Sequence, residues 1–463
     1  MKEKTHHRQL FLFLVSAAIV IAQTAVFAFV WFRIYNLNDM AQPFYNRGNY
    51  ALIALYALLC ILFYKVFGCF RVGYLPVYDM LFNQIGALLC LNAVTYLQLC
   101  LTCRWRFFTH MGPLGYMTLA DIVIVIIWAL LARWGYLKMS HPRELLLVYG
   151  EYSPDKLMRK LDSRKDKYHI HEAIPIDTDM DIIKRKIAEH GSVVLTDIPC
   201  EIRNDLLKFC FEQNIRCYTV PKISDIMVMN ASRIDLFDTS LLLFRNRGLS
   251  WGQQIAKRTF DIIVSLIGLI IAAPFMLVIA LAIKLYDGGP VFFTQDRLTL
   301  DGKVFKILKF RSMRVQREDK GYCLTRKDDD RITPVGKIIR NIHFDELPQL
   351  INILKGDMSI VGPRPECPAL AAKYCEEVPE FNFRLKVKAG LTGYAQVYGK
   401  YNTTPYDKLK LDLTYINKYS FLLDLQLIIM TVKILFQKEN TEGIEAWQTD
   451  ASGKDRSQLT KTK

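Results

Sequence analysis

A second pair of cysteines to complete a zinc site is missing from this chain, and that excludes the common structural zinc folds. The eleven cysteines are scattered. Cys60, Cys69, Cys90, Cys100 and Cys103 lie in an apolar first third, and Cys100 and Cys103 have no second pair to complete a site. Reduced thiols on a cytosolic side fit that usage. A chain of ionisable residues of the kind that marks a transport path is missing from the long apolar runs; Asp121, near the start of the fourth run, is the one exception away from the run ends. Glycines that would admit a dinucleotide phosphate are missing too: after Gly150 the chain reads Glu151-Tyr152-Ser153-Pro154, with nothing to let backbone and pyrophosphate approach. Negative charge is in the minority, at 45 Asp plus Glu against 60 Lys plus Arg. No nucleic-acid motif accompanies that excess, so nucleic acid is not an expected partner. In a chain with membrane segments the simplest reading is positive cytoplasmic loops and contact with anionic headgroups.

What is present begins with four apolar runs, 10–32, 50–67, 80–101 and 117–134, each long enough or nearly so to span a bilayer. The first has too long an apolar core for a cleavable signal, and three more follow it. Placing Lys2, Lys4, Arg8, Lys65, Arg71, Arg133, Lys138 and Arg143 in the cytoplasm satisfies the positive-inside pattern, with Arg33, Arg47, Arg104 and Arg106 left outside. Residues 1–141 therefore read as a four-span bundle that anchors the chain.

From 142 the composition turns soluble. Residues 144–150, 192–196 and 215–220 read as strands with helical patterns between them, including a helix over 154–161. Such alternation predicts a small doubly wound, Rossmann-like α/β domain over 142–247. Without the phosphate fingerprint it is expected to be structural or regulatory.

The next segment, 248–436, holds an apolar helix over 257–286 with Pro274 at its middle. Its length alone says transmembrane span. Pro274 removes a helix hydrogen bond, so the two halves can also turn back to one face, with Ser265 among the groups available to satisfy freed backbone. Positive charge at both ends, Lys257 and Arg258 before and Lys284 and Arg297 after, favours neither crossing. Parity favours the re-entrant form, because a fifth crossing would carry everything downstream outside. Beyond it, Phe305-Lys306-Ile307-Leu308-Lys309-Phe310-Arg311 alternates so that Lys309 and Arg311 share one face. That face is either a phosphate clamp or a cationic edge toward headgroups. The run 421–436 is too short to span comfortably and suits a membrane surface; the polar tail 437–463 is expected to be disordered.

The densest chemistry lies at Arg340-Asn341-Ile342-His343-Phe344-Asp345-Glu346-Leu347-Pro348-Gln349. Leu347, Leu350, Ile351 and Leu354 recur at helical spacing, which places Asp345 as the N-cap of a helix. One reading is an ordinary acidic helix start. The other is chemical: a carboxylate beside a phosphoryl group can attack it and form an acyl phosphate, while its neighbour helps hold a divalent metal. Downstream, Arg364 stands between Pro363 and Pro365, a stiff turn that presents its guanidinium for a pyrophosphate or a base edge.

These motifs in order resemble the bacterial sugar transferase family, the monotopic polyprenyl-phosphate phosphoglycosyl transferases. They are Lys257-Arg258-x-Phe260-Asp261, the Pro-broken helix, Phe305-Lys306-x-x-Lys309-Phe310-Arg311-Ser312-Met313, Asp345-Glu346-Leu347-Pro348-Gln349, Gly356-Asp357-Met358-Ser359-x-x-Gly362-Pro363-Arg364-Pro365 and Gly390-x-Thr392-Gly393-x-Ala395-Gln396. The spans and α/β segment ahead of them resemble the family's large form. The resemblance implies a mixed α/β catalytic domain in an enzyme of the bacterial inner membrane, with its site on the cytosolic face. It implies that Asp345 attacks the β-phosphate of a UDP-sugar, releases UMP, and passes the sugar-1-phosphate to polyprenyl phosphate, which primes exopolysaccharide, O-antigen or capsule synthesis. Glu346 would bind Mg²⁺; Lys309, Arg311, Arg340, Arg364, Pro365 and Gln396 would contact substrate; Ser265 and Pro274 belong to the membrane break. Glucose or galactose is the usual sugar of the large form. Ala389 and Tyr394 replace the Pro and Trp common at those places. The rival from another class is a membrane-anchored binding or regulatory protein whose acidic pair is only a cap. The sequence leaves self-association open.

Overall fold

Chain segments too polar to leave water and too apolar to stay in it alternate here, and the elements follow. A computed structural model of the protein describes residues 2–39, 44, 47–73, 76–102, 111–139, 142–150, 153–162, 164–229, 231–244, 248–314, 331–399 and 403–435. The expected polar tail lies outside them. The described chain divides into two compact units, Met1–Pro221 and Lys222–Lys463.

The first unit opens with α1 (Lys2–Val30), α2 (Arg47–Val66), α3 (Val77–Thr102) and α4 (Gly112–Met139). All four contain stretches long and apolar enough to cross a membrane. Large apolar side chains such as Phe13, Leu58, Leu97 and Leu131 point outward from them, as a lipid-facing surface requires.

The soluble part of this unit runs β1 (Arg143–Tyr149), α5 (Asp155–Asp162), β2 (Tyr168–Pro175), α6 (Met180–His190), β3 (Ser192–Thr196), α7 (Cys200–Glu212) and β4 (Arg216–Thr219). The strands form one parallel sheet in the order β2-β1-β3-β4. Central β1 is a continuous apolar run because both its faces are covered. Leu146 and Val148 meet Ile183, Ile187 and Leu206 on one face, and Leu145 and Leu147 meet Leu157 and Met158 on the other. Each such buried side chain stabilises by about 1.5–3 kcal/mol. Three strands are expected from the sequence; β2 is the fourth. It lies at the sheet edge, where Tyr168-His169-Ile170-His171-Glu172 is mostly half-buried, so its apolar signal is weak. Gly150 has a packing reason: a Cβ there would meet the Asp197 carbonyl oxygen at 2.0 Å.

In the second unit, α8 (Ile223–Val228) is followed by the hairpin β5 (Ser232–Leu236) and β6 (Thr239–Leu243), then α9 (Trp251–Asp287). A capping box starts α9: the Ser250 hydroxyl accepts from Gln253 N, and the Gln253 side chain accepts from Ser250 N. Gly288 ends it at φ 71°. The helix continues through Pro274. Next come the antiparallel pair β7 (Phe292–Leu298) and β8 (Val304–Phe310), α10 (Pro334–Asn341), a 3₁₀ turn at Phe344–Glu346 and α11 (Gln349–Lys355). After these run β9 (Ser359–Val361), α12 (Pro368–Glu377), β10 (Gly390–Thr392), α13 (Tyr394–Tyr398), α14 (Pro405–Asn417) and α15 (Phe421–Leu435), with β9 and β10 paired in parallel. A core of Ile353, Met358, Val361, Phe381, Leu409, Leu413 and Leu427 joins these short pieces.

Both halves of α9 lie on this unit. Val264 and Leu269 pack on the main core, whereas Ile279 and Ile283 pack with Phe310, Ile339, Phe344 and Leu347. The other face exposes Ile263, Ile267, Ile270, Ile271, Leu277, Val278 and Leu281. The charged start of the helix is pinned to the same body. Lys257 pairs with Asp424 at 2.6 Å, Arg258 donates to the carbonyls of Ile353 and Leu354, and Asp261 accepts from Ile360 N.

Candidate active site

Asp345 is not a helix N-cap. Pro348 holds that place for α11, and Asp345 lies one step earlier, inside the 3₁₀ turn. Proline lacks an N–H and ends one turn while starting the next, a role the spacing of Leu347, Leu350 and Leu354 does not reveal. His343 introduces the turn at φ 56°, ψ 23°, a left-handed conformation without glycine, costing on the order of 1 kcal/mol. This bend turns the chain out of α10 so that Asp345 and Glu346 follow it side by side.

Three elements converge on the acidic pair. From β8, Lys309 Nζ donates to Glu346 Oε1 at 2.6 Å. From the turn after β9, Arg364 Nη2 donates to the same oxygen at 3.0 Å. From α10, the Arg340 charge acts on Asp345. Asn352 of α11 fixes the distance between strand and turn: its side chain accepts from Leu308 N at 2.9 Å and donates to Lys306 O at 2.9 Å. Lys309 is therefore presented at a set height above Glu346.

The two carboxylates are driven apart electrostatically. Burial raises Asp345 above the ordinary aspartate range, with the neighbouring Glu346 charge adding to it, and Lys309 and Arg340 only partly offset the rise. Burial pushes Glu346 the same way, but Lys309 and Arg364 outweigh it and hold that carboxyl far below its usual range. Neighbouring carboxylates with opposite shifts mark a functional site more often than a structural one. Among the described residues Asp345 accepts no hydrogen bond. Its oxygens are the free ones.

Other sequence candidates fall elsewhere. Arg311 follows the end of β8, is buried, and pairs with Asp287; it makes no hydrogen bond to the dyad. Gly289 faces it closely, since a Cβ there would meet Arg311 Nη1 at 2.4 Å. Gln396 donates to Leu391 O at 3.0 Å and serves its own loop. Pro365 offers its carbonyl to Arg297 Nη1 at 3.1 Å. Ser265 and Pro274 lie within α9, and among the described residues the buried Ser265 hydroxyl has no hydrogen-bond partner.

Sequence reading missed the cluster behind Arg364. Glu366 pairs with Lys408 and with Arg384 Nη1 at 3.4 Å, and Arg384 Nη2 meets Asp412 Oδ2 at 2.7 Å. These residues lie up to 46 positions apart, and no local spacing joins them. The only available signal is four charges placed among apolar neighbours.

Among the described residues no group of three His, Cys, Asp or Glu side chains could hold a metal. The donors do fit a magnesium ion that shares its shell with a substrate. Lys309 and Arg364 both take Glu346 Oε1, which leaves Oε2 to a metal completed by phosphate oxygens and water.

A family model described as bacterial sugar transferase matches residues 252–438. The chain is 36% identical over 218 residues to the UDP-glucose:undecaprenyl-phosphate glucose-1-phosphate transferase of Escherichia coli (strain K12), covering 46% of this chain and 47% of the relative. It is 30% identical over 377 residues to the galactosyl transferase CpsE of Streptococcus agalactiae serotype III (strain NEM316), covering 72% and 80%. It is 42% identical over 189 residues to the exopolysaccharide production protein PSS of Rhizobium leguminosarum bv. phaseoli, covering 38% and 94%. The chain thus spans about half the length of the Escherichia coli relative.

Proposed function

Because the chain belongs to the bacterial sugar transferase family, we propose that it transfers a sugar-1-phosphate from a UDP-sugar to polyprenyl phosphate through a covalent phosphosugar–Asp345 intermediate. The observation that carries this reading is the free, half-buried Asp345 carboxylate beside a Glu346 clamped by two cations.

The chemistry follows from what each side chain can do. An Asp345 oxygen attacks the β-phosphorus in line with the bond to the α–β bridging oxygen. That bond breaks and UMP leaves with the oxygen and its electron pair. A phosphate oxygen of the lipid acceptor then attacks the same phosphorus, the acyl phosphate bond breaks, and Asp345 is restored. The Arg340 charge favours the ionised, attacking form of the Asp345 carboxylate. Lys309 and Arg364, already at the dyad, neutralise charge on the phosphoryl oxygens as it develops. Glu346 would hold Mg²⁺ together with the pyrophosphate, and the bound ion supplies further charge neutralisation. Burial that destabilises the Asp345 charge also strips it of water, which favours attack on phosphorus.

The lipid acceptor requires the site to lie at the bilayer surface. In our reading four spans place the second unit in the cytoplasm of the bacterial inner membrane, and α9, unbroken in its helical path, bends at Pro274 so that it dips into the bilayer with both ends on one face. The support is that both helix ends pair with one folded unit, Lys257 with Asp424 and Asp287 with Arg311. A span crossing the bilayer would separate these ends by about 30 Å of hydrocarbon.

The test is turnover by purified protein in nanodiscs with Mg²⁺, undecaprenyl phosphate and a panel of UDP-sugars. We expect UMP release and a diphosphate-linked lipid sugar with UDP-glucose or UDP-galactose. No UMP with any member of the panel would refute the proposal.

A further inference from the structure

Arg364 reaches Glu346 with a side chain that is 45% exposed and makes a single bond to it. A free arginine carries about 2 kcal/mol of rotamer entropy, so the aim of this one must come from the backbone beneath it. That backbone is held at three consecutive carbonyls. Arg384 Nη2 donates to Arg364 O at 3.0 Å, Arg297 Nη1 to Pro365 O at 3.1 Å, and Leu298 N to Glu366 O at 2.9 Å. Arg384 is the member that grips Arg364 itself. It is fully enclosed, with its guanidinium over the Phe381 ring at 4.9 Å, Asp412 at 2.7 Å and Glu366 at 3.4 Å, and Lys408 pairs with the same Glu366 oxygen.

A buried cluster of two cations and two carboxylates stabilises little compared with apolar residues of the same volume, because desolvation offsets the attraction. What it supplies that leucines cannot is a donor at a fixed point under the Arg364 carbonyl. We infer that Arg384, held by Asp412 and Glu366, is a positioning residue that aims Arg364 at the acidic pair. The inference rests on the transferase reading above. Removing Arg384 would leave every catalytic group in the chain while letting the Arg364 guanidinium wander, and a misplacement of about 1 Å costs roughly 10²-fold in rate.

The test is a double-mutant cycle on UMP release by full-length protein in nanodiscs. Arg384→Lys keeps the charge, but its single nitrogen cannot stand both where Nη1 meets Glu366 and where Nη2 meets Arg364 O and Asp412. We expect its kcat to fall about 10–100-fold in the wild-type background. In an Arg364→Ala background the same change should alter kcat less than about 2-fold, because nothing is left to aim. A merely structural role gives equal factors in both backgrounds, and that result, or no loss in the wild-type background, overturns the inference. If Arg384→Lys fails to fold, Asp412→Asn runs the same cycle with the same expected collapse of its factor. Wild-type protein that releases no UMP overturns the transferase reading and this inference with it.

Discussion

The parallel sheet of the first unit and the catalytic part of the second solve the same packing problem by different means. In the sheet, regular hydrogen bonding satisfies the backbone and aliphatic side chains fill both faces. In the catalytic part, strands of three to seven residues and helices as short as five leave many backbone groups without a partner of their own kind. Side chains take that place: Asn352 along β8, Arg258 at the end of α11, Asp261 on β9, and Arg297 and Arg384 under the Pro-Arg-Pro turn. The proposed chemistry sits in the irregular region because converging cations on one carboxylate need residues from three elements that no regular ladder brings together. The difference also says how each region should fail.

Asp345→Asn should do the most damage. It should lower transfer by about 10⁴-fold or more while leaving the unfolding temperature nearly unchanged; retention of even a tenth of the rate would break the assignment. Leu147→Ala in the sheet should do the reverse. It removes a side chain with no exposed surface, so it should cost about 2–5 kcal/mol of stability and leave kcat per folded molecule unaltered, as read by denaturant melts and active-site titration. Gly393→Ala should affect both properties. A Cβ there would meet the Gly362 carbonyl oxygen at 2.0 Å. No side chain can rotate away, so the turn bearing Arg364 must shift, at about 1–3 kcal/mol and with a measurable drop in kcat.

The smallest effect concerns acid. In the proposed reaction Asp345 acts ionised, and its carboxyl is raised by burial, so kcat/KM should fall as pH drops through a value above the ordinary 3.8. Glu366 is the opposite case: burial pushes it up, but Lys408 and Arg384 outweigh that and pull it from its ordinary 4.5 down to about 2. Its contribution to stability is complete above 4.5 and disappears as pH falls from there toward about 2. Activity should therefore be half lost at a higher pH than the midpoint of acid unfolding. Coincident curves would remove the distinction between the two carboxylates.

The same contrast decides what was legible in the sequence. Leu145–Val148 reads as a doubly covered strand because a buried parallel strand writes four apolar residues in a row, and the strand at 192–196 is as plain. Edge strand β2, diluted by His169, His171 and Glu172, is not. In the catalytic part Lys309, Glu346 and Arg364 are visible as motifs, yet their convergence on one oxygen is not. Arg311 belongs to the same alternating stretch as Lys309 and pairs instead with Asp287, because β8 ends at Phe310. The helix expected to begin at Asp345 begins after Pro348, with the left-handed His343 ahead of it, and neither choice follows from hydrophobic period. Arg384, Asp412 and Glu366 stay hidden for a simpler reason: only the tertiary fold makes them neighbours.

The most direct test is to catch the intermediate. Wild-type protein mixed with Mg²⁺ and a UDP-sugar labelled in the β-phosphate, with the lipid acceptor withheld, should gain one hexose phosphate by mass, mapped to the peptide containing Asp345 and lost when polyprenyl phosphate is added. Turnover without any label on the protein, or a label on a residue other than Asp345, would contradict the account.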